Sequence, residues 1–120
     1  MKKLLVINGS PRDDKISNTY KALMAEARFY QERFPGLYVS YQKIPADITG
    51  CRNCPKCNPG CNIKDGFQAI IEEISDCTDV LLGSPVYLDM PTPQTVAFLT
   101  RLNCMAESTN RQFFEGKNIH

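Results

Sequence analysis

Donor groups suited to a phosphate lie together near the start of the chain. They are the hydroxyl, amide and guanidinium side chains of Ser10, Arg12, Ser17, Asn18 and Thr19. The turn-forming pair Asn8-Gly9 precedes them, and Ser17 begins a pattern typical of a helix. Because backbone N–H groups at a helix N-terminus attract anions, this stretch predicts a phosphate-binding loop. An ordinary turn between a strand and a capped helix would show the same pattern.

A second loop, residues 83–88, offers a different kind of surface. Its proline fixes the backbone, and main-chain amides, an aromatic ring and apolar bulk follow. Such a surface can hold a flat heteroaromatic ring and hydrogen-bond the edge of that ring. The expected contact residues are Pro85, Val86, Tyr87 and Leu88.

Four of the six cysteines have the spacing of ligands to an inorganic centre. Cys51, Cys54, Cys57 and Cys61 form C-x2-C-x2-C-x3-C, the ferredoxin-type spacing, with Asn62 at the position where those runs have proline. Three interpretations stay open for this quartet: a [4Fe–4S] cluster, a structural zinc ion, or thiols without a metal. Cys77 and Cys104 fall in helix patterns, and we interpret them as packing residues.

The segments between these groups predict a parallel α/β sheet. Residues 4–7 and 79–83 are continuous apolar runs, typical of strands buried on both faces, whereas residues 37–44 alternate and suit a sheet edge. Helix patterns follow Ser17 and begin again near residues 67 and 93, so strands and helices alternate as in right-handed βαβ units. For the last helix the expected apolar face is Val96, Leu99, Leu102 and Ala106. Residues 45–66 show neither the helical nor the strand periodicity of apolar residues and form a long cysteine-rich loop.

With the second strand at the edge, the predicted strand order begins 2-1-3. Ligands of such sheets bind beyond the carboxyl ends of the strands, where the strand order reverses. The first and second loops described above both leave this edge. A phosphate site at one and a flat-ring site at the other describe a mononucleotide, and the chain has no GxGxxG fingerprint of the dinucleotide fold.

The end of the chain reads as the start of a further strand, in residues 113–120. Three strands and three helices precede it, where a doubly wound sheet usually has five or six strands. We therefore expect the C-terminal strands to be missing from this chain. The strand at 80–82 would then be an unpaired apolar edge that promotes self-association.

Length and charge restrict the class of protein. The 120 residues suit one domain, 1–120, and a net charge of +1 gives no bulk attraction to nucleic acid or an acidic membrane. The apolar run near the N-terminus is too short for a signal peptide, and no stretch approaches membrane-spanning length. We therefore expect a cytoplasmic protein, in which cysteines serve metal or redox chemistry more often than disulfides.

Three ordered motifs resemble one family. INGSPR followed by SNT, the cysteine loop with CNIKD, and GSPVYLDMPTPQTVAFLTR resemble the flavodoxin-like NAD(P)H-dependent FMN reductases, in particular the members called iron-sulfur flavoproteins. The resemblance covers nearly the whole chain and implies a doubly wound parallel sheet. It also implies non-covalently bound FMN, with the phosphate at the first loop and the isoalloxazine ring against residues 85–88.

The same resemblance implies a function. The family passes electrons from NAD(P)H or a redox partner, through flavin, to a small-molecule or protein acceptor, and its members usually form dimers or tetramers. Two alternatives stay open: an iron-sulfur and flavin electron-transfer protein without a small-molecule substrate of its own, and a non-catalytic truncated fragment. Among the residues themselves no nucleophile triad is visible, since the one histidine is His120 at the terminus.

Overall fold

The computed structural model of the chain describes residues 2–45, 47–51, 65–108 and 117–119. Its elements in chain order are β1 (Lys3–Asn8), α1 (Asn18–Arg33), β2 (Tyr38–Lys43), α2 (Phe67–Asp76), β3 (Asp79–Gly83), β4 (Val86–Tyr87), β5 (Met90–Pro91), α3 (Pro93–Ser108) and β6 (Asn118–Ile119). The alternation of strands and helices predicted from the sequence is confirmed. No helix in the described ranges is both long and apolar enough to cross a bilayer.

The main sheet is parallel and has the order β2-β1-β3-β6. The predicted start of this order, 2-1-3, and the edge position of the second strand are both confirmed. In the register between β1 and β3, Asn8 lies beside Gly83. Both strands therefore end at the same level, and the loops that follow them leave the sheet side by side.

Successive residues of β1 enter two different cores, which explains its unbroken apolar run. Leu4 and Val6 pack with Leu23 and Ala27 of α1 on one face of the sheet. Leu5 and Ile7 pack on the other face with residues of α2 and α3, namely Phe67, Ile70, Ile74 and Phe98. Each fully buried aliphatic side chain of this kind contributes about 1.5–3 kcal/mol relative to an exposed one.

Helix α1 begins and ends where turn chemistry predicts. Ser17 is its N-cap, and the Ser17 hydroxyl accepts a hydrogen bond from the Tyr20 N–H at 3.1 Å. The helix ends at Arg33 with Phe34 as its C-cap, and Gly36 follows with a φ of 88°, a left-handed conformation that glycine adopts without steric strain.

The predicted apolar face of α3 is only partly right: Leu102 packs against the core as expected. Leu99 is 37% exposed and Val96 is half-buried, whereas Phe98 and Arg101 are both about 1% exposed. The prediction counted only apolar positions and placed the polar ones toward solvent. Thr95 and Arg101 of this helix are buried and have hydrogen-bond partners inside the protein, which removes most of the penalty for burying them.

The expectation of an unpaired edge at residues 80–82 needs correction. Residues 118 and 119 form the predicted next strand, β6, which lies parallel to β3 and pairs Asn118 with Asp79 and Ile119 with Val80. Val80 therefore has a neighbour on that side. Within the described residues the ladder covers only these two positions, so Leu81 and Leu82 lie beyond it.

Candidate functional site

Three segments meet at the carboxyl edge of the sheet and are joined by hydrogen bonds. The Gly9 N–H donates to the Gly83 carbonyl at 2.8 Å, which ties the loop after β1 to the end of β3. The Thr92 hydroxyl donates to the Gly9 carbonyl at 2.6 Å, and the Thr92 N–H donates to the Ser84 hydroxyl at 3.0 Å. The two loops predicted to share a crevice are therefore fastened to each other and to the start of α3.

Thr92 and Thr95 complete this junction, and neither was predicted as a site residue from the sequence. They are 0% and 2% exposed, and their hydroxyl oxygens lie 2.7 Å apart. Thr92 also caps α3, since its hydroxyl accepts from the Thr95 N–H at 3.3 Å. A threonine followed by proline at the first helical position is a recognised start signal. That signal was present in Thr92-Pro93 and would have located the cap.

The five predicted phosphate donors divide into two groups. Ser10 and Ser17 are buried, and their hydroxyls accept from the backbone N–H groups of Arg12 and Tyr20 at 3.2 and 3.1 Å. Arg12 and Asn18 are exposed, and Thr19 is half-buried. The serines therefore shape the loop from within, and the other three residues face outward at its rim.

The N-terminus of α1 suits an anion. The N–H groups of Asn18 and Thr19 precede the first hydrogen bond inside the helix, so they can donate to an external acceptor. The first turn contains no acidic residue, and a carboxylate there would compete for these donors.

A partly buried chain of hydrogen bonds holds the first loop in place. The Asn8 side chain accepts from the Ser10 N–H at 2.9 Å and donates to the Tyr41 hydroxyl at 3.1 Å. The Tyr41 hydroxyl then donates to the Asp14 carboxylate at 2.9 Å. Burial, opposed by the Asn8 hydrogen bond and reinforced by the Asp14 carboxylate, raises the pKa of Tyr41 to about 12. Tyr41 therefore remains protonated as a donor at neutral pH.

The acidic residues of the first loop are engaged within it. The Asp13 carboxylate accepts from the Lys15 N–H at 2.9 Å. Lys43 lies 3.5 Å from the Asp14 carboxylate and also contacts the Arg12 carbonyl. The Asp13 carboxylate is therefore engaged with the loop backbone, and the Asp14 carboxylate is engaged with Lys43.

The second loop folds into a hairpin that the sequence analysis did not predict. Strands β4 and β5 pair antiparallel, and the two residues between them, Leu88 and Asp89, have φ angles of 52° and 61°. Left-handed φ at both central positions is the pattern of a tight hairpin turn that favours Asn-Gly. A leucine in this conformation is strained. Leu88 is nevertheless 96% exposed, so the hairpin presents an apolar side chain to solvent.

An apolar groove of about 760 Å³ runs between this hairpin and α3. Its walls include Tyr87, Leu88 and Met90 on the hairpin, and Val96 and Ala97 on the helix. The remaining predicted ring contacts lie on the same loop: Val86 is 70% exposed and Pro85 is half-buried. The hairpin therefore carries an exposed apolar surface beside the junction of the two loops.

The cysteine quartet falls largely outside the described residues. Cys54, Cys57 and Cys61 lie there, and Cys51 alone can be placed. Its sulfur lies 3.1 Å from the sulfur of Cys104 in α3, so Cys104 is more than the packing residue that the sequence suggested. In the described part of the chain no three or more His, Cys, Asp or Glu side chains converge as a metal site.

Cys77 is the packing residue that the sequence predicted. It follows α2 as its C-cap and is 5% exposed in the core between the sheet and α2. Its thiol donates to the Ile74 carbonyl at 3.2 Å, and burial raises the pKa of this thiol. A buried thiol of raised pKa is chemically inert.

Arg101 joins the two described ends of the cysteine-rich segment. The Arg101 side chain is 1% exposed and lies 2.6 Å from the Asp65 carboxylate, 3.3 Å from the Thr49 carbonyl and over the Phe67 ring at 4.2 Å. Burial alone would raise the pKa of Asp65. The Arg101 hydrogen bond, the N–H groups of Phe67 and Thr49 and the Arg101 charge together lower it.

Solved structures resemble this fold. RosB with bound 8-demethyl-8-formylriboflavin-5'-phosphate as an intermediate has a TM-score of 0.65 at 19% identity, covering 88% of this chain and 43% of RosB. An azoreductase from Bacillus anthracis str. Sterne gives 0.63 at 14% identity, with coverages of 86% and 56%. The Trp repressor binding protein from Bacillus subtilis gives 0.58 at 18% identity, with coverages of 97% and 63%.

These likenesses show the fold, and the chain spans 43–63% of the length of these proteins. A search of curated protein sequences finds no significant match. The model of the NADPH-dependent FMN reductase family matches residues 2–119, nearly the whole chain. The parallel sheet with order 2-1-3 and the family match agree, and the chain belongs to the NADPH-dependent FMN reductase family.

Proposed function

We propose that this chain is the FMN-binding part of an oxidoreductase that passes electrons between NAD(P)H or a redox partner and an acceptor. The FMN phosphate binds at Ser10, Arg12, Ser17, Asn18 and Thr19, and the isoalloxazine ring lies against Pro85, Val86, Tyr87 and Leu88. The observation that carries this proposal is the junction of the two loops, where the Gly9 N–H meets the Gly83 carbonyl at 2.8 Å. Family membership over residues 2–119 supports it.

The donors of the first loop fit a phosphate. Each buried serine hydroxyl accepts one backbone hydrogen bond and still has its own proton to donate. The N–H groups at the start of α1 add further donors, and Arg12 adds a charge at the exposed rim. The Asp13 and Asp14 carboxylates are already engaged with the loop backbone, Tyr41 and Lys43, so they do not oppose the ligand at the helix N-terminus.

The second loop fits a flat apolar ring. Tyr87 and Leu88 are exposed on the hairpin and border the groove beside α3. Covering this surface with a ring would bury apolar area that now faces water. Thr92 donates to the Gly9 carbonyl of the phosphate loop and to the Ser84 hydroxyl at the base of the hairpin, and these two hydrogen bonds hold the hairpin base at a fixed distance from the phosphate loop.

When bound, FMN supplies the hydride and electron transfer chemistry. The residues of this chain bind and orient it. Tyr41 keeps its proton across the physiological range because its pKa is about 12. The hydrogen bonds that link Asn8, Tyr41 and Asp14 therefore hold the phosphate loop in one shape. The exposed hairpin would cover one side of the ring and exclude water from it.

Replacing Asn18 and Thr19 together by alanine is expected to weaken FMN binding by about 1–3 kcal/mol, roughly 5–150-fold in Kd. The two side chains lie at the start of α1, where they and their N–H groups would meet the phosphate. FMN titration followed by flavin fluorescence measures the change. The matched control is Gln31→Ala with Glu32→Ala, two exposed positions at the opposite end of the same helix. An unchanged Kd in the first variant would show that the phosphate site lies elsewhere.

Replacing Leu88 by asparagine and Asp89 by glycine should separate hairpin stability from flavin binding. Both new residues tolerate left-handed φ, so the free energy of unfolding is expected to rise by roughly 1–2 kcal/mol. The exposed leucine side chain is lost, so FMN affinity is expected to fall. Thermal denaturation and FMN titration measure the two effects. An unchanged or tighter FMN affinity would remove Leu88 from the ring site.

The cysteine quartet is a separate proposal. Cys51, Cys54, Cys57 and Cys61 have the spacing for a [4Fe–4S] cluster, which would add a second electron carrier. Iron and acid-labile sulfide in anaerobically purified protein test this, and stoichiometric zinc in protein made with ample iron would contradict it. Assembly as a dimer or tetramer and a cytoplasmic location also stay predictions; sedimentation tests the first of these.

A further inference from the structure

We infer that Cys51 and Cys104 are a reversible dithiol–disulfide pair. The two sulfur atoms lie 3.1 Å apart, although the residues are 53 positions apart in the chain. Sulfurs in a disulfide are about 2.0 Å apart, so a shift of about 1 Å would join them. The inference stands independently of flavin binding, since it rests on contacts between the residue 49–51 segment and α3.

A backbone hydrogen bond positions Cys51 over α3. The Cys51 N–H donates to the Thr100 hydroxyl at 3.2 Å. Thr100 and Cys104 are four residues apart and therefore lie on one face of the helix. Gly50 lies against the preceding turn, since a Cβ there would be 3.6 Å from the Thr100 hydroxyl and 3.9 Å from the Ala97 Cα. The chain at residues 50–51 thus follows the face of α3 that carries Cys104.

Arg101 provides a second, buried anchor for the same segment. Its guanidinium donates to the Thr49 carbonyl at 3.3 Å, two residues before Cys51, and pairs with Asp65 at 2.6 Å. The approach of the two thiols is therefore set by the hydrogen bond of Cys51 to Thr100 and by the buried anchor at Thr49. Groups held together in this way react with each other far faster than with groups elsewhere in solution.

Both thiols are accessible enough to react. Cys51 and Cys104 are half-buried, whereas Cys77 is fully buried in the core. Cys51 also lines the wall of the apolar groove, which gives a small reagent a path to the sulfur. Exposure of this kind distinguishes a redox-active cysteine from a structural one.

The reaction is thiol–disulfide exchange with a small-molecule disulfide such as oxidised glutathione. One protein thiolate attacks a glutathione sulfur, which forms a mixed disulfide and releases one glutathione thiolate. The second protein thiolate attacks the mixed disulfide and releases the other. Two electrons pass from the protein to glutathione, and the two protons of the protein thiols go to the two released glutathione thiolates. Oxidation also withdraws Cys51 from any metal that the quartet could bind.

Tryptic mapping of the full chain tests the pair directly. Cleavage after lysine and arginine places Cys51 alone in peptide 44–52 and Cys104 alone in peptide 102–111. After equilibration in glutathione redox buffers and alkylation of the remaining thiols, mass spectrometry is expected to find these two peptides joined. The linked fraction should rise with oxidised glutathione and return to zero on reduction. Oxidation is also expected to raise Tm by about 5–15 °C, because the link closes a long loop in the unfolded chain.

Three variants identify which cysteines form the link. Cys104→Ser and Cys51→Ser should each abolish the link and the rise in Tm, whereas Cys77→Ser, the buried control, should retain the link. The inference is overturned if peptide 44–52 joins peptide 53–56 or 57–64 in the unaltered chain. It is overturned equally if Cys51 stays reduced while other cysteines oxidise.

Discussion

Replacing Asp65 by asparagine is expected to lower the free energy of unfolding by about 3–5 kcal/mol, because it leaves the buried Arg101 charge without a counter-charge. Arg101 is 1% exposed and Asp65 is 12% exposed, measured on their side chains. Asparagine can still accept from the Phe67 N–H, as Asp65 does at 3.1 Å. The substitution therefore removes the charge and keeps the shape. Urea denaturation of both proteins measures the difference.

The pH dependence of that difference provides a second measurement. The pKa of Asp65 in the folded protein lies below its usual value of 3.8. A lowered carboxyl pKa contributes stability that is fully present above the usual pKa and is lost as the pH falls through the folded pKa. The difference in the free energy of unfolding between the unaltered protein and Asp65→Asn should therefore be constant near neutral pH and shrink below about pH 4.

A surface carboxylate is the matched control. Asp76 pairs with Lys3 at 2.8 Å, but its side chain is 75% exposed. Asp76→Asn should therefore cause no comparable loss, since exposed ion pairs contribute little. Equal losses for the two variants, or a gap for Asp65→Asn that persists in acid, would contradict the buried ion pair.

Replacing Gly9 by alanine is the second change with a large expected effect, a loss of about 2–3 kcal/mol in the free energy of unfolding. The new Cβ would lie 1.9 Å from the Thr95 hydroxyl and 3.2 Å from the Gly83 carbonyl. The Thr95 side chain cannot move away freely, because it is 2% exposed and its hydroxyl lies 2.7 Å from that of Thr92. Overpacking at this point would also push apart the loops that hold the proposed flavin.

A second-site change tests the cause of this loss. Thr95→Ala in the Gly9→Ala background removes the 1.9 Å contact and should restore part of the stability; contacts at 3.2 Å remain. Gly50→Ala is the control, because its Cβ would meet its nearest neighbour at an ordinary 3.6 Å. Chemical denaturation ranks the variants. A Gly9→Ala protein as stable as the Gly50→Ala protein would show that the junction is looser than described.

The sheet could be predicted from the sequence because the apolar pattern of each strand indicates how many of its faces are buried. A continuous apolar run at residues 4–7 requires two covered faces, and the structure places successive residues in two cores. The alternating run at residues 37–44 requires one covered face, which places β2 at the edge. These patterns depend on local periodicity alone, so a single sequence carries them.

Two of the features that could not be predicted depend on contacts between distant residues. Burial of Arg101 follows from Asp65, 36 positions away, and the pairing of Cys51 with Cys104 spans 53 positions. Polarity alone would place Arg101 in solvent. The apolar pattern therefore did not identify Arg101 as part of the buried face of α3. The hairpin was missed because its turn, Leu88-Asp89, lacks the Asn-Gly signal that marks such turns.

The proposal that FMN binds with its phosphate at the start of α1 is tested most directly by comparing FMN with riboflavin, which lacks the phosphate. Isothermal titration with both ligands should give tighter binding of FMN by the unaltered protein. In Asn18→Ala with Thr19→Ala, the affinity for FMN should fall toward that for riboflavin, and riboflavin binding should be unchanged. In Tyr87→Ala, both ligands should lose affinity by the same factor. Equal losses for FMN and riboflavin in the Asn18 and Thr19 variant would contradict the placement of the phosphate at the start of α1.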